Sequence, residues 1–351
     1  MLKDYSIVAW GGYQYFNEHI ELIREKVKVE YIFGNLDYIK NKEDYKLLAD
    51  KEKILELKNP FVIICLASVS EVSMAAKWCR DKKIPYCHME FLFNKNGLSS
   101  KYLKAVGGKY TDWNQNTISI SQRATDNIFI DVSNSKNADI HIENISVKER
   151  LKIKMLGHHG YLSIGEKTTV VFAFIVVNTY GKIIIGKDCM LAKAVSLMQS
   201  DQHLIFDRTT KKRINYPKDI VVGNHVWIGR EVELLAGAEI GDGCVCGART
   251  VTSGKFPTNA VLAGSPAKII RENVIWARDL IETSDFDSLE QCKDQNGVIY
   301  QNNNENFPVN QKRKDPLEEM IIHLYQSGIT TVGISKLIEK MYGQYYVPKE
   351  K

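Results

Sequence analysis

The chain has 351 residues, of which 44% are hydrophobic and 25% charged, and its net charge is +5. This length suits two domains, and the composition excludes a disordered or fibrous chain. The basic residues form no long run, so we do not expect nucleic-acid binding. No apolar stretch approaches the length of a membrane span and the N-terminus lacks a signal-peptide pattern, so we expect a cytoplasmic protein with no membrane span.

The seven cysteines are scattered and lie mostly within apolar runs. No two of them form a C-x-x-C pair, so a structural zinc site is not expected. Buried free thiols in a reducing compartment are the interpretation that fits this usage.

Residues 1–100 alternate apolar runs with helical patterns, which predicts a small parallel α/β sheet. The predicted strands are 5–9, 29–33, 61–66 and 84–89. The predicted helices are 14–27, 54–57 and 70–82. The Gly11-Gly12 pair follows the first strand, where a Rossmann-like fold places its phosphate loop, although a plain tight turn also explains the pair.

The sequence pattern changes near Thr117. From there on, short runs of β-forming residues are separated by Asn, Ser, Asp, Lys and Gly. We interpret these runs as irregular early coils of a solenoid. Ile164 and Ile185 open its first regular Ile-Gly pairs, and their separation is not a multiple of six, which predicts a three-residue irregularity in a repeat of six. His158-His159 lies in this region. Adjacent strand residues face opposite sides, so ordinary surface or core histidines are expected rather than a metal pair.

Residues 222–251 divide into five groups of six. The second position is Gly in four of them, and the fifth is small or β-branched. The first-position residues are Val222, Ile228, Leu234, Ile240 and Cys246. Short β segments joined by regular turns produce such a period, and the stacked coils bury a continuous row of side chains. Glycine is expected where the turn needs a positive φ or close packing.

Two further segments lie outside this repeat. Residues 198–219 form a polar interruption, and a long loop leaving a solenoid is a usual location for functional residues. Beyond Trp276 a polar linker leads to amphipathic helical patterns at 316–326 and 334–342. Residues 329–343 faintly resemble half of a helix-turn-helix but lack a basic second helix, so we prefer a packing or oligomerisation tail.

Three stretches carry a family resemblance: Ser200-Asp201-Gln202-His203, DIVVGNHVWIG at 219–229 and AGSPAKIIREN at 263–273. In this order and spacing they resemble the xenobiotic and capsular-polysaccharide O-acetyltransferase branch of the hexapeptide-repeat acyltransferases. The resemblance implies a left-handed parallel β-helix at 113–275, and we expect a Rossmann-like α/β domain at 1–100 before it. A linker and a mostly helical C-terminal extension are expected at 276–351. The resemblance further implies acetyl-CoA as co-substrate and a homotrimer with active sites between subunits.

His203 is the residue that we expect to act as general base. Imidazole titrates near neutrality, so it can accept the proton of an attacking hydroxyl and return it to a departing thiolate. The position of His203 within its S-D-x-H stretch resembles that of the catalytic histidine of the family. No nucleophile motif is visible, so direct attack in a ternary complex is favoured over an acyl-enzyme. Asp201, Asp207 or a backbone carbonyl could orient the ring.

The resemblance also places the donor contacts. Trp227 corresponds to a tryptophan beside the acetyl end of the donor, although packing within the coil is an alternative. The implied coenzyme contacts are Gly229, Gly247, Ala248, Thr252, Lys268 and Arg271. A solvated cationic rim is the alternative for the last two. Arg249 occupies a position that is usually small in the family, which leaves the phosphate partners open. We expect no metal, because no cluster of ligands has metal spacing.

The interruption continues past His203 with four cations, Arg208, Lys211, Lys212 and Arg213. They would attract and orient an anionic glycan, although a solvated loop would have the same composition. We therefore expect an O-acetyltransferase that acts on an acidic bacterial cell-surface (capsular) polysaccharide. The alternatives are an N-acetyltransferase for a nucleotide-linked amino sugar and a non-catalytic β-helix scaffold.

Overall fold

The structure is a computed structural model that describes residues 4–11, 19, 23, 27–34, 44–90, 98–112 and 114–278. The predicted C-terminal helical extension therefore lies outside the described residues. The predicted helix at 14–27 also does, except for His19 and Ile23, which are helical, and Val27, which is not. Within these ranges no helix is long and apolar enough to cross a membrane.

The N-terminal part contains a sheet of five parallel strands in the order β3-β2-β1-β4-β5. The strands are β1 (Ser6–Gly11), β2 (Tyr31–Phe33), β3 (Lys46–Leu48), β4 (Pro60–Cys65) and β5 (Tyr86–His88). The central strands β1 and β4 are almost entirely buried, as their apolar runs predict. Four of the five strands agree with the prediction. The fifth, β3, has three residues and is mostly exposed, so it carries no apolar signal.

Two helical elements flank this sheet. Helix α1 (Val69–Asp81) follows β4 and buries Val72, Ala75, Ala76 and Cys79. Their spacing of three and four residues is what places them on one helical face. A 3₁₀ helix (Lys51–Glu56) is capped by Asp50, whose carboxylate accepts hydrogen bonds from the backbone of Glu52 and Lys53. It ends one residue before the predicted limit.

Helix α2 (Ser100–Ala105) joins the sheet to the rest of the molecule. On one side its Tyr102 stacks on His88 at 4.1 Å between ring centroids. On the other side Ser100 Oγ donates to the carbonyl of Thr125, and Lys104 Nζ donates to that of Ala124. The helix is flanked by the short strands β6 (Leu98–Ser99) and β7 (Lys109–Thr111).

From Thr117 onward the chain forms a parallel β-solenoid with two sheets, and the short runs predicted as early coils are its first strands. One sheet takes β8 (Thr117–Ile120), β10 (Asp139–Ile142), β12 (Tyr161–Ile164), β14 (Lys182–Ile185), β16 (Ile220–Val222), β19 (Glu239–Ile240) and β22 (Lys255–Phe256). The second begins with β9 (Ile128–Lys136), β11 (Ser146–His158), β13 (Thr169–Val177) and β15 (Met190–Met198).

In the later coils two short strands take the place of each long strand of the second sheet. Together with the strand of the first sheet, each of these coils then has three short strands. The pairs are β17 (Trp227–Ile228) with β18 (Glu233–Leu235), and β20 (Val245–Cys246) with β21 (Val251–Thr252). Strand β15 pairs with both β17 and β18, which places the two on separate faces of the solenoid. The next coil contributes β23 (Val261–Gly264), and β24 (Ala267–Arg271) folds back antiparallel to it.

Coil length becomes regular along the chain. In the hexapeptide region Val221 pairs with Glu239, a step of three groups of six. In an earlier coil Tyr161 pairs with Lys182, a step of three groups of six and three further positions. This longer step confirms the predicted three-residue irregularity, because it is the step that separates Ile164 from Ile185.

The core of the regular coils consists of the first and fifth positions of each group. All five first-position residues are at most 1% exposed, and the fifth-position residues Val226, Val232, Ala238, Cys244 and Thr250 are 0% exposed. The six cysteines in the described part of the chain are buried and free. These facts agree with the expected row of inward side chains.

The second-position glycines serve close packing rather than a positive φ. A Cβ on Gly229 would lie 2.6 Å from the carbonyl oxygen of Cys246 in the next coil. The left-handed residue of each turn lies two positions further on and is usually not glycine. Examples are Asp188, His225, Glu231 and Arg249, with φ between 51° and 62°.

Each regular coil has three corners. The first corner precedes β17 and includes Asp188 and His225, and the second separates β17 from β18 and includes Gly229 and Gly247. The third corner leads back to the first sheet. There the interruption at 199–219 leaves the coil between β15 and β16 as a short hairpin. Its backbone bonds join Asp207 to Lys212 and Ile214 to Ile205.

Candidate active site

His203 is exposed at the base of the hairpin, on the third corner. One amide fixes this region, because Asn215 Nδ2 donates to the His203 carbonyl at 2.7 Å and to Asp201 Oδ2 at 2.8 Å. The Oδ1 atom of Asn215 accepts from the backbone of Ile205 at 2.8 Å. The polypeptide on both sides of His203 is therefore anchored while its imidazole extends towards solvent.

The two carboxylates expected near His203 have other contacts. Asp201 accepts from Asn215, and Asp207 accepts from the backbone N–H of Thr210 at 2.6 Å. That N–H, followed by the side chain of Thr210, holds the pKa of Asp207 below its usual value. Asp201 thus acts on the same amide that holds the His203 backbone, whereas Asp207 stabilises the tip of the hairpin.

Trp227 lies on β17 and is 39% exposed, although the residues on either side of it, Val226 and Ile228, are fully buried. This alternation places its indole on the outer surface of the solenoid, as its sixth position in the repeat predicts. Trp276 lies beside it, with 6.0 Å between ring centroids and 48° between ring planes. Trp227 therefore has one flank against protein and a remaining surface that is open.

A polar network supports this pair from the first corner. His225 is 3% exposed, and its Nδ1 lies 2.7 Å from Asp188 Oδ2. Arg278 Nε donates to Asp188 Oδ1 at 2.9 Å. Burial raises the pKa of Asp188, but the hydrogen bond from His225 and the charge of Arg278 outweigh it and leave the pKa below its usual value. Asp188 is thus ionised at neutral pH.

The expected coenzyme contacts form two groups. Gly229, Gly247 and Ala248 lie on the second corner, where Gly229 N–H donates to Cys246 O and Gly247 N–H to Leu262 O. Lys268 and Arg271 are exposed on β24, opposite Ala263 and Val261. Thr252 differs from these, because it is 5% exposed and its hydroxyl accepts from Gly254 N–H.

Arg249, which departs from the family pattern, is held by a neighbour on the same corner. Its Nε donates to Glu231 Oε2 at 2.7 Å. This hydrogen bond is the main cause that lowers the pKa of Glu231. The arginine is thus tied to the turn of the preceding coil, away from the first corner.

The four cations of the hairpin are not equivalent. Arg208, Lys211 and Lys212 are exposed, whereas Arg213 is partly buried and donates to the carbonyl of Asn215 at 3.0 Å. Its guanidinium also lies 5.0 Å from the ring centroid of Tyr216. The hairpin carries exposed apolar side chains as well, namely Leu204, Ile205, Phe206, Ile214 and Tyr216.

The described residues contain no group of three His, Cys, Asp or Glu side chains that could hold a metal ion. His158 and His159 belong to different environments. Burial, with a smaller contribution from Lys136, lowers the pKa of His158. The ring of His159 instead stacks on Tyr180 at 5.1 Å.

The structure therefore brings together some of the predicted residues and separates others. The glycines of the second corner stack on one another, and Trp227 lies on the adjoining face. His203 and the cations leave the same coil region at the third corner. The prediction did not include Asn215, Trp276 or Arg278. The available signal for the last two was a tryptophan and an arginine placed directly after the 263–273 stretch, in the short run Val-Ile-Trp-Ala-Arg.

Comparison with known proteins gives named relatives. The chain is 42% identical over 115 residues to a polysialic acid O-acetyltransferase of Escherichia coli O1:K1 / APEC, covering 33% of this chain and 38% of the relative. It is 43% identical over 127 residues to the polysialic acid O-acetyltransferase of Neisseria meningitidis, covering 36% and 59%. The chain thus spans between about two fifths and three fifths of the length of these curated relatives.

Two other similarities were found. The crystal structure of the polysialic acid O-acetyltransferase OatWY matches with 34% identity and a TM-score of 0.44, over 48% of this chain and 81% of that one. The family described as "Transposase, Mutator family" matches residues 292–350, a segment outside the described residues that we predict to be a packing tail. That match covers a small part of the chain and does not assign it to a family. By its sequence relatives and its repeat of six, the chain belongs to the hexapeptide-repeat acyltransferases, in the xenobiotic and capsular-polysaccharide O-acetyltransferase branch.

Proposed function

We propose that the protein is an acetyl-CoA-dependent O-acetyltransferase that acts on a hydroxyl of an acidic bacterial cell-surface polysaccharide. The observation that carries this proposal is His203, exposed on an anchored hairpin that interrupts an otherwise regular solenoid. The names of two relatives, polysialic acid O-acetyltransferases, support the acceptor class. The cytoplasm is the compartment that we propose.

In the proposed reaction His203 accepts the proton of the acceptor hydroxyl as its oxygen attacks the thioester carbonyl. The carbon–sulfur bond then breaks, and the same imidazole returns the proton to the departing thiolate. The donor supplies the acetyl group in activated form.

The donor would lie along the second corner and β24. The backbones of successive coils lie close together there because the corner residues are glycines. Since glycine has no side chain, the surface beside Gly229 and Gly247 would leave room for a thin pantetheine arm. Lys268 and Arg271 are exposed cations that could contact phosphates. We do not assign Thr252 to the donor surface, because its buried hydroxyl already serves the turn at Gly254.

A homotrimer is part of the proposal. The hairpin with His203 and the face with Trp227 leave the coil at different corners, which suits a site completed by a neighbouring subunit. The exposed apolar side chains of the hairpin, such as Phe206 and Ile214, would be covered in such an assembly.

Acetylation of an amino group on a nucleotide-linked sugar is the second candidate. The N-terminal sheet supports it, because its parallel strand order β3-β2-β1-β4-β5 resembles the order found in Rossmann-like nucleotide-binding units. Thiol release from acetyl-CoA, measured with amino sugars and with acidic polysaccharides in parallel, separates the two candidates.

The substitution His203→Ala tests the central residue. We expect turnover to fall by about 10²–10⁴-fold, the usual contribution of a general base. Binding of coenzyme A and the melting temperature should stay at wild-type values, because the side chain is exposed outside the coil. His141→Ala, another exposed histidine, is the matched control. A His203 variant that retains more than about a tenth of the rate would refute the general-base role.

The cations of the hairpin test the acceptor class. Lys211→Ala/Lys212→Ala should raise the KM for an acidic glycan, with little change in the KM for acetyl-CoA, and the effect should shrink at high salt as the Debye length falls below ~10 Å. Lys148→Ala/Lys152→Ala removes the same charge from exposed solenoid positions and is the control. Arg213 is tested separately, since it also holds Asn215. Equal use of neutral and acidic glycans by the wild type would argue against this acceptor.

A further inference from the structure

After its last coil the chain runs back across the solenoid as a strap, residues 274–278. Val274 N–H donates to the carbonyl of Asn259 at 2.9 Å. Trp276 lies over His225, and Arg278 reaches Asp188 and the carbonyl of Lys167. The strap therefore runs from the last coil towards earlier coils, opposite to the order in which the coils follow one another in the sequence.

The contacts of the strap repeat at equivalent sites. Asn259, His225, Asp188 and Lys167 are the left-handed residues of first-corner turns, with φ from 51° to 61°. Coils stack about 4.8 Å apart, and an extended chain advances about 3.4 Å per residue. Val274 to Arg278 therefore covers about three coil spacings, which is the separation of the coils of Asn259 and Asp188.

His225 holds Trp276 by several contacts at once. The two rings stack at 4.0 Å with 11° between their planes. Trp276 Nε1 donates to the carbonyl of His225 at 2.9 Å, and His225 Nε2 lies 3.0 Å from the carbonyl of Trp276. The other ring nitrogen of His225, Nδ1, lies 2.7 Å from Asp188 Oδ2, so each ring nitrogen has an oxygen atom within hydrogen-bond distance.

Arg278 closes the strap beyond the tryptophan. Its guanidinium donates to Asp188 Oδ1, to Thr169 Oγ1 and to the carbonyls of Asp188 and Cys189, all at 2.8–2.9 Å. A planar guanidinium with this many aligned acceptors allows little movement of the backbone that carries it. Trp276 is therefore held by the backbone contact of Val274 on one side of it in the chain, by Arg278 on the other, and by the stacked ring of His225.

The fixed ring bears on Trp227. Trp276 is 7% exposed and Trp227 is 39% exposed, so the first is a support and the second faces solvent. The indole of Trp227 cannot rotate into the space that Trp276 occupies, since the two ring centroids are only 6.0 Å apart. Aromatic pairs at this distance and tilt attract each other, in addition to the area that they bury.

We propose that Trp276 is a positioning residue for the donor: held by His225 and Arg278, it fixes the indole of Trp227 in the orientation that binds the acyl end of acetyl-CoA. This inference rests on the proposed function, in which Trp227 lines the donor site. Residues 274–278 would then belong functionally to the acetyltransferase unit.

The test is a double-mutant cycle on the dissociation constant of coenzyme A, measured by calorimetry without turnover. We expect Trp276→Leu to weaken binding by about 3–10-fold and Trp227→Leu by at least as much. Because the first acts through the second, the double variant should bind like Trp227→Leu alone. Trp276→Phe, which keeps the stacked ring, should restore most of the affinity. In steady state the KM for acetyl-CoA should rise and the KM for the acceptor should not.

Tyr161→Leu is the matched control, because Tyr161 lies 5.8 Å from His141 at a 44° tilt on another face. It should leave the affinity for coenzyme A unchanged. If Trp276→Leu does not fold, Arg278→Gln loosens the same strap and should weaken binding in the same cycle. Effects of Trp227→Leu and Trp276→Leu that multiply, or a Trp276→Leu protein of lowered melting temperature and unchanged affinity, would overturn the proposal. A wild-type protein that does not bind coenzyme A refutes the proposed function instead.

Discussion

Three histidines of this chain lie in three different environments, and the environment decides what each imidazole can do. His203 is exposed on the hairpin that leaves the third corner. His225 is enclosed, with one ring nitrogen facing Asp188 and the other facing the carbonyl of Trp276. His88 is fully buried, with Nε2 2.9 Å from the carbonyl of Leu66. The sequence distinguishes His203 by its place in a long loop. His225 and His88 instead come shortly after apolar runs that look alike in sequence.

His88 makes the stability of the protein depend on pH. Burial lowers its pKa to about 4, although the carbonyl of Leu66 opposes this shift. In the unfolded chain the ring takes up a proton near pH 6.5, whereas in the folded chain it does so only near 4. Stability is therefore full above about pH 6.5 and falls as the pH drops towards 4, by at most roughly 3 kcal/mol.

Denaturant unfolding at pH 7.5 and 4.5 measures this contribution. His88→Gln keeps an N–H donor for Leu66 but does not titrate, so its loss of stability between the two pH values should be smaller than that of the wild type. His141→Gln, at an exposed site, should follow the wild type. Identical losses in His88→Gln and the wild type would show that this ring does not titrate with unfolding.

At the scale of the strand and turn, glycine sets how closely successive coils approach. A Cβ on Gly241 would lie 2.5 Å from Thr258 N and 2.7 Å from the carbonyl carbon of Pro257, both backbone atoms that cannot turn aside. A Cβ on Gly254 would meet the ring of Phe256 at 3.2 Å, and a side chain can move. Neither glycine has a positive φ, so the two positions differ in space rather than in backbone conformation.

Gly241→Ala should therefore destabilise the protein by about 1–3 kcal/mol, the usual cost of overpacking. Gly254→Ala should cost less than about 1 kcal/mol, because alanine also restricts the unfolded chain. Thermal and denaturant unfolding of both variants measure the difference. Equal effects would mean that the corner at Gly241 relaxes more easily than its backbone neighbours allow.

The strands and turns of the solenoid could be predicted because they follow local rules. Ile228 and Leu234 occupy the same position in successive groups of six, and each is buried by the coil that it helps to form. Strand β3 could not be predicted, since its three residues are mostly exposed and carry no periodic signal. The left-handed turn residues were also missed, because Asp188 and Arg249 share a backbone conformation and not a residue type.

At the scale of the whole molecule the candidate site could be predicted only in part. His203 and Trp227 could be selected from motifs, whereas the residues that support Trp227 come from distant positions in the chain. His225 and Trp276 are 51 residues apart, and Arg278 reaches back 111 residues to Lys167. No pattern within one repeat encodes such contacts. They depend on the path of the chain after its last coil, which the hexapeptide period does not set.

The reversal of β24 against β23 has a consequence for assembly along the solenoid axis. Parallel coils leave unpaired backbone groups at both ends of the stack, and such edges can recruit another chain and grow into a fibril. Here β24 occupies that edge in the antiparallel sense and presents the charges of Lys268 and Arg271. Strand β22 is followed directly by Pro257, which has no N–H to offer, and β7 runs antiparallel to the first coil at the opposite end. At β23 and at β8 the stack is thus closed by an antiparallel segment of its own chain, which hinders end-to-end addition of another chain at those two edges.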